Sequence, residues 1–173
     1  MIQNYNTYKI LKLFFDFPRK KFQLRELSRK TNVGLPSVIN HVKKLEKEGF
    51  VKRVSEGVYD SYVSNRNEKF KSYRKNDVLL RLKESGLVDF LADEFIPDTI
   101  VLFGSASMGE DVEESDIDLF LLAKEKDVKL ENFEKSLNRK INLHFEEKIS
   151  DLPKELLNNI ANGIVLYGYL KVV

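Results

Sequence analysis

The chain contains no cysteine, so neither a disulfide framework nor a thiolate metal site is available to it. Imidazole is scarce, with His41 and His144 as the two histidines, and zinc chemistry is not expected. Long apolar runs are missing as well. The longest, such as Val101 to Phe103 and Leu119 to Ala123, fall far short of the ~20 residues that cross a bilayer, and the N-terminus has no signal-peptide pattern. No internal repeat and no low-complexity tract occurs. These absences lead us to expect a soluble, cytoplasmic protein with no membrane partner.

What is present is charge, and it is divided. The 173 residues carry a net +2, but a cut before Asp77 separates 18 Lys or Arg against 7 Asp or Glu from 11 against 20, a net of +11 and of −9. A basic module attracts a polyanion through counterion release, whereas clustered carboxylates attract a metal or cationic groups. The length allows two small modules.

In the basic half, Tyr8, Leu11, Phe14 and Phe15 recur at helical spacing over residues 5–16, and Phe17-Pro18 closes that segment. A short second helix is expected over Gln23 to Lys30, with Leu24 and Leu27 inward. Thr31-Asn32-Val33-Gly34 reads as a turn containing a glycine, and Pro36 suits the first turn of a third helix running to about Glu48. Its inner stripe is Val38, Ile39, Val42 and Leu45, which leaves Ser37, Asn40, His41, Lys44 and Lys47 outside. Two alternating segments, Val51 to Val54 and Val58 to Val63, flank Ser55-Glu56-Gly57 as a β-hairpin with glycine in its turn. The string from Leu24-Arg25-Glu26-Leu27-Ser28 through Ser37-Val38-Ile39-Asn40-His41-Val42 to Gly49-Phe50-Val51 resembles the winged helix-turn-helix domains of archaeal and bacterial transcriptional regulators. The resemblance implies that the third helix enters the major groove of double-stranded DNA while the wing touches backbone or minor groove. Asn40 can then address a base edge, Ser37 and His41 share that face, and Lys44, Lys47, Lys52 and Arg53 can neutralise phosphates. The alternative for such a module is dimerisation or protein docking.

Residues 65–76 are polar and basic, with Phe70 and Tyr73 three apart, and read as a helical connector. From Asp77, Leu79, Leu80, Leu82, Leu87, Val88, Phe90 and Leu91 continue at helical spacing, interrupted by Ser85-Gly86, which suggests two short helices or one kinked one. We therefore divide the chain into 1–64, a connector over 65–84, and 85–173. A homodimer on two half-sites is the default expectation for a regulator of this kind.

The acidic half holds the most specific pattern. Val101-Leu102-Phe103-Gly104-Ser105 is followed, ten residues on, by Asp116-Ile117-Asp118-Leu119-Phe120. Side chains two apart on a strand point the same way, so Asp116 and Asp118 converge while Ile117 and Leu119 enter a core. Gly104 ends an apolar strand where a Cβ would keep a phosphate from the backbone, and Ser105 adds a hydroxyl at the start of a helix. Hard carboxylate oxygens suit Mg²⁺. Further elements are expected as a helix over Leu130 to Asn138, a strand over Lys140 to Phe145, a helix from Asp151-Leu152-Pro153 to Ala161 and a last strand or an extended cover over Gly163 to Leu170.

Gly104-Ser105, Gly109, Ser115-Asp116-Ile117-Asp118-Leu119 and Gly163-Ile164-Val165-Leu166-Tyr167-Gly168 together resemble the minimal nucleotidyltransferases of the DNA polymerase β-like superfamily, over about residues 85–170. The implied fold class is α+β, a winged helix-turn-helix of three helices and a hairpin followed by a small mixed sheet with flanking helices. The implied activity is transfer of an NMP from an NTP, with ATP the expected nucleotide and a protein among the candidate acceptors. Gly104, Ser105, Gly109 and Ser115 would hold the nucleotide, and Asp116 and Asp118 would bind two Mg²⁺ ions. Two departures stand against it. The third carboxylate of the family's pattern falls at Asn142, an amide that can ligate Mg²⁺ but brings no charge and cannot act as a base. Glu146 shares that strand face ~13 Å further on and needs a bulge to substitute. Met108 also stands where many relatives carry a basic residue. Two functions follow as expectations: a DNA-tethered nucleotidyltransferase, or a transcriptional regulator whose degenerate transferase domain senses a nucleotide or partner.

Overall fold

A computed structural model describes residues 5–55 and 59–171. The chain divides into two compact units, Met1–Ser72 and Tyr73–Val173.

In the first unit, α1 (Asn6–Asp16), α2 (Leu24–Thr31) and α3 (Leu35–Lys47) precede an antiparallel hairpin of β1 (Val51–Ser55) and β2 (Asp60–Ser64). These are the three helices and wing that the periodicity predicts; Glu56 and Gly57, expected in the wing's turn, lie outside the described residues. The apolar stripes meet in one core, where Ile10, Phe14, Phe22, Leu27, Val38, Val42 and Leu45 are buried. Phe14 and Phe22 meet edge to face at 5.2 Å, a geometry that adds about 0.5–1.5 kcal/mol beyond area burial. Phe22 also exchanges two 2.8 Å backbone hydrogen bonds with Tyr62, so the segment before α2 joins the wing. One detail differs from expectation: Ile39 is only half-buried. In the expected turn between α2 and α3 the left-handed residue is Asn32 at φ 54°, a conformation asparagine tolerates, and Gly34 keeps φ −56°.

The charge boundary is not a structural boundary. One helix, α4 (Glu68–Glu84), passes unbroken through Asn76-Asp77, since neither proline nor glycine interrupts it. The expected connector and the first expected helix after it are therefore a single element. Gly86, at φ 73°, separates it from α5 (Leu87–Phe95).

The second unit is built on a four-stranded sheet in the order β5-β4-β3-β6, with β3 at Thr99–Phe103, β4 at Ile117–Leu122, β5 at Ile141–Glu146 and β6 at Ile164–Gly168. β3 runs antiparallel to both β4 and β6, and β4 runs parallel to β5. The parallel pair needs a crossover, which α7 (Glu131–Leu137) supplies. Every residue of β3 is buried because both faces are covered. On one face Ile100, Leu102, Ile117, Leu119 and Leu121 pack with Leu87, Leu91 and Leu137. On the other, Val101, Phe103 and Phe120 pack with Leu152 and Ile160, the latter on α8 (Lys154–Ala161). A short α6 (Gly104–Met108) follows β3 directly. The alternation of β4 thus buries Ile117 and Leu119 and leaves Asp116 and Asp118 at the end of the α8 face.

Candidate active site

Three elements deliver the acidic cluster. Asp118 lies on β4 between Phe103 of β3 and Asn142 of β5 in the strand register, and Asp116 precedes the strand by one residue. The Asn142 amide nitrogen donates to Asp116 Oδ2 at 3.1 Å and to Asp118 Oδ1 at 3.2 Å, so the two carboxylates converge on one point. The turn at Gly104 closes on the same place. A Cβ there would stand 2.7 Å from Asp118 Oδ2, and the residue has φ +70°, so glycine alone lets the carboxylate lie against the backbone. Ser105 is half-buried beside it. The buried Ser107 hydroxyl donates to the Gly104 carbonyl at 2.7 Å.

Gly109 and Ser115 serve the loop that leads to Asp116. Gly109 caps α6, and the Ser115 hydroxyl accepts from the Val112 amide at 2.9 Å while the Ser115 amide donates to the Val112 carbonyl at 3.1 Å. Ser115 therefore closes a tight turn in this structure. On β5 the pairing runs from Ile117 opposite Ile141 to Leu122 opposite Glu146 without a bulge, which leaves Glu146 ~13 Å from position 142. His144 meets Phe103 edge to face at 5.2 Å. Among the described residues no group of three His, Cys, Asp or Glu gathers as a metal site. A cavity of about 490 Å³ opens beside Asp116, with Ser115 and Arg139 in its wall.

On the first unit, Asn40, Lys44 and Lys47 are exposed on α3, Lys52 and Arg53 are exposed on β1, and Ser37 is half-buried. Two of these cations have partners. Lys44 approaches Glu48 at 3.9 Å, and Arg53 forms an ion pair with Asp60. That hydrogen bond and charge raise the Arg53 guanidinium above its ordinary value and lower the Asp60 carboxyl. His41, expected on the outer face, is half-buried, and its Nδ1 pairs with the Thr7 hydroxyl at 2.8 Å. It ties α3 to α1.

Residues 86–170 match the family model described as polymerase beta, nucleotidyltransferase, and residues 3–52 match the one described as winged helix-turn-helix DNA-binding. The chain joins a winged helix-turn-helix to a nucleotidyltransferase-like domain. No curated protein and no solved structure matches it significantly. The nucleotidyltransferase family generally uses an NTP and a divalent metal. The residues of this domain fit one divalent cation, because two carboxylates meet at a point beside a glycine cradle. The amide at that point presents its nitrogen now and would present its oxygen after a half-turn.

Sequence reasoning missed what holds this site. Asp111, in the loop after Gly109, is buried and takes a two-pronged ion pair from buried Arg74, Nε to Oδ1 at 2.7 Å and Nη2 to Oδ2 at 2.8 Å. Arg139 Nη1 adds a contact to Oδ2 at 2.9 Å. Burial pushes the Asp111 carboxyl up, but the hydrogen bond and charge of Arg74 and the charge of Arg139 outweigh it and hold the group below its ordinary value. No sequence signal marks these three, since a charged residue in a polar loop or basic helix reads as solvated. Asp77 and Arg81, paired at 2.7 Å within one helix, also went unread, although their i,i+4 spacing is a local signal.

Proposed function

We propose that this protein is a DNA-binding regulator, acting as a homodimer, whose nucleotidyltransferase domain holds an NTP through a divalent cation without transferring it. One observation carries this reading. At the position of the family pattern's third carboxylate, an amide nitrogen sits within hydrogen-bond distance of both Asp116 and Asp118. The pair thus carries a formal charge of −2 with no third carboxylate to draw a proton from an acceptor hydroxyl. A bound divalent cation would supply charge neutralisation to a triphosphate. Asp116 and Asp118 would ligate it, Gly104 would keep the Asp118 carboxylate against the turn, and the Ser105 hydroxyl would donate to a phosphate oxygen. In the first unit, Asn40 and Ser37 would face base edges and Lys44, Lys47, Lys52 and Arg53 the phosphates.

The transferase reading remains the competitor, favoured by the intact phosphate side at Gly104 and Ser105. Incubation of the full chain with Mg²⁺ and α-labelled ATP separates the two. We expect saturable ATP binding with no covalent label on protein, nucleic acid or small hydroxyl acceptors, and Asn142→Asp should tighten Mn²⁺ binding. Transfer of label by the unaltered protein overturns the regulator reading.

A further inference from the structure

Two arginines clasp the same buried carboxylate, yet they face different duties. Arg74 gives Asp111 two donors, Nε and Nη2. Arg139 reaches Asp111 Oδ2 at 2.9 Å and, from the same Nη1, the Ser115 carbonyl at 3.0 Å. Ser115 is the residue before Asp116, and Arg139 stands three before Asn142. A further backbone bond, from the Ile117 amide to the Lys140 carbonyl at 2.9 Å, joins the same two strand entrances. Arg139 therefore spans the two segments whose separation sets the distance from Asp116 to the Asn142 amide. Its side chain is 13% exposed, against 2% for Arg74, and it borders the cavity beside Asp116.

We infer that Arg139 is a positioning residue for Asp116, with the Arg74–Asp111 pair as its fixed base, so that one arginine sets the geometry of the acidic pair and the other sets the stability of the loop. Charge alone does not give this division, because both guanidiniums serve one carboxylate. The positioning role comes from which acceptor Arg139 adds: the peptide carbonyl at Ser115 moves with the Asp116 backbone, and Arg139 holds it at 3.0 Å. Lysine at 139 keeps the positive charge but replaces the planar fork by a single ammonium, which does not hold both acceptors in one fixed geometry. As far as cation binding is concerned, the inference rests on the function proposed above; the positioning itself does not.

The test compares Arg139→Lys with Arg74→Lys in the full chain. Three quantities are read: the side-chain amide NMR resonances of Asn142, Mn²⁺ affinity by water-proton relaxation, and the thermal midpoint. Arg139→Lys should move the Asn142 amide resonances, because their two acceptors shift, and should weaken Mn²⁺ binding about tenfold, the scale on which groups behind a metal ligand act, with the midpoint nearly unchanged. Arg74→Lys should lower the midpoint and leave the resonances and the affinity as they were. If Arg139→Lys leaves the Asn142 amide in place, or if both variants move every readout alike, the inference is overturned. Should Arg74→Lys fail to fold, Arg139→Gln replaces it as comparator, and a Gln variant that shifts the amide no further than the wild type also overturns the inference. Absence of Mn²⁺ binding by the unaltered protein defeats the nucleotide reading alone, and the amide resonances still decide the positioning.

Discussion

The two units differ in where they keep charge. In the first, the cations stand in water on α3 and β1, and their ion pairs, such as Lys44 with Glu48 and Arg53 with Asp60, are exposed. The second also has exposed pairs, such as Lys126 with Glu94, but it buries Arg74, Asp77 and Asp111. Exposed pairs contribute little to stability because water already solvates both partners. A buried pair costs much to desolvate, and removal of one partner strands the other. Charge outside is therefore left open to a partner molecule, whereas charge inside holds a geometry.

The sharpest way to break that contrast is Asp111→Ala, which strands Arg74 and Arg139. It should cost about 3–5 kcal/mol in urea unfolding of the second unit, and a cost near that of a surface substitution would erase the contrast. The same carboxyl predicts a pH dependence. Its folded pKa lies below its ordinary value, so its contribution is complete above the unfolded pKa of ~3.9 and is lost as pH falls through the lower folded value. Acid titration of Asp111→Asn against the unaltered chain should show that loss below about pH 4 in the latter only.

Next in size is the DNA face. Lys44→Glu combined with Arg53→Glu should nearly abolish binding to duplex DNA, and loss of these two contacts should reduce the slope of log K against log salt by about 2. Salt-insensitive binding by the unaltered chain would defeat the polyanion reading of the first unit. Gly104→Ala is smaller in stability, about 1–2 kcal/mol for an L-residue at positive φ. Its Cβ would stand 2.7 Å from Asp118 Oδ2, and Mn²⁺ affinity should fall through displacement of that carboxylate. The smallest effect is expected from Asp60→Ala. The pair it removes is exposed, so the thermal midpoint should stay put while duplex binding tightens slightly as Arg53 is released.

Much of the site was legible because its signal is local. Gly104-Ser105 and Asp116-Ile117-Asp118 mark a strand end and a strand face, and the alternation that buries Ile117 and Leu119 also aims the carboxylates. The position of Asn142 came from the resemblance, whose third carboxylate falls between Ile141 and Leu143, and the strand register sets Asn142 opposite Asp118. The continuity of α4 was not legible, since a change of charge sign resembles a boundary, although backbone hydrogen bonds are indifferent to it. His41 was placed outside by helical spacing, and only the approach of α1 gave it Thr7 as a partner.

Composition and periodicity by themselves thus determined the two modules, the strand and helix order and the acidic pair, because each depends on residues within a few positions of one another. Tertiary structure alone decided which charges are buried and which carboxylate meets which guanidinium. Arg74, Asp111 and Arg139 are separated by 37 and 28 positions along the chain, and pairing over such distances is set by how strands and helices stack, which no local pattern encodes.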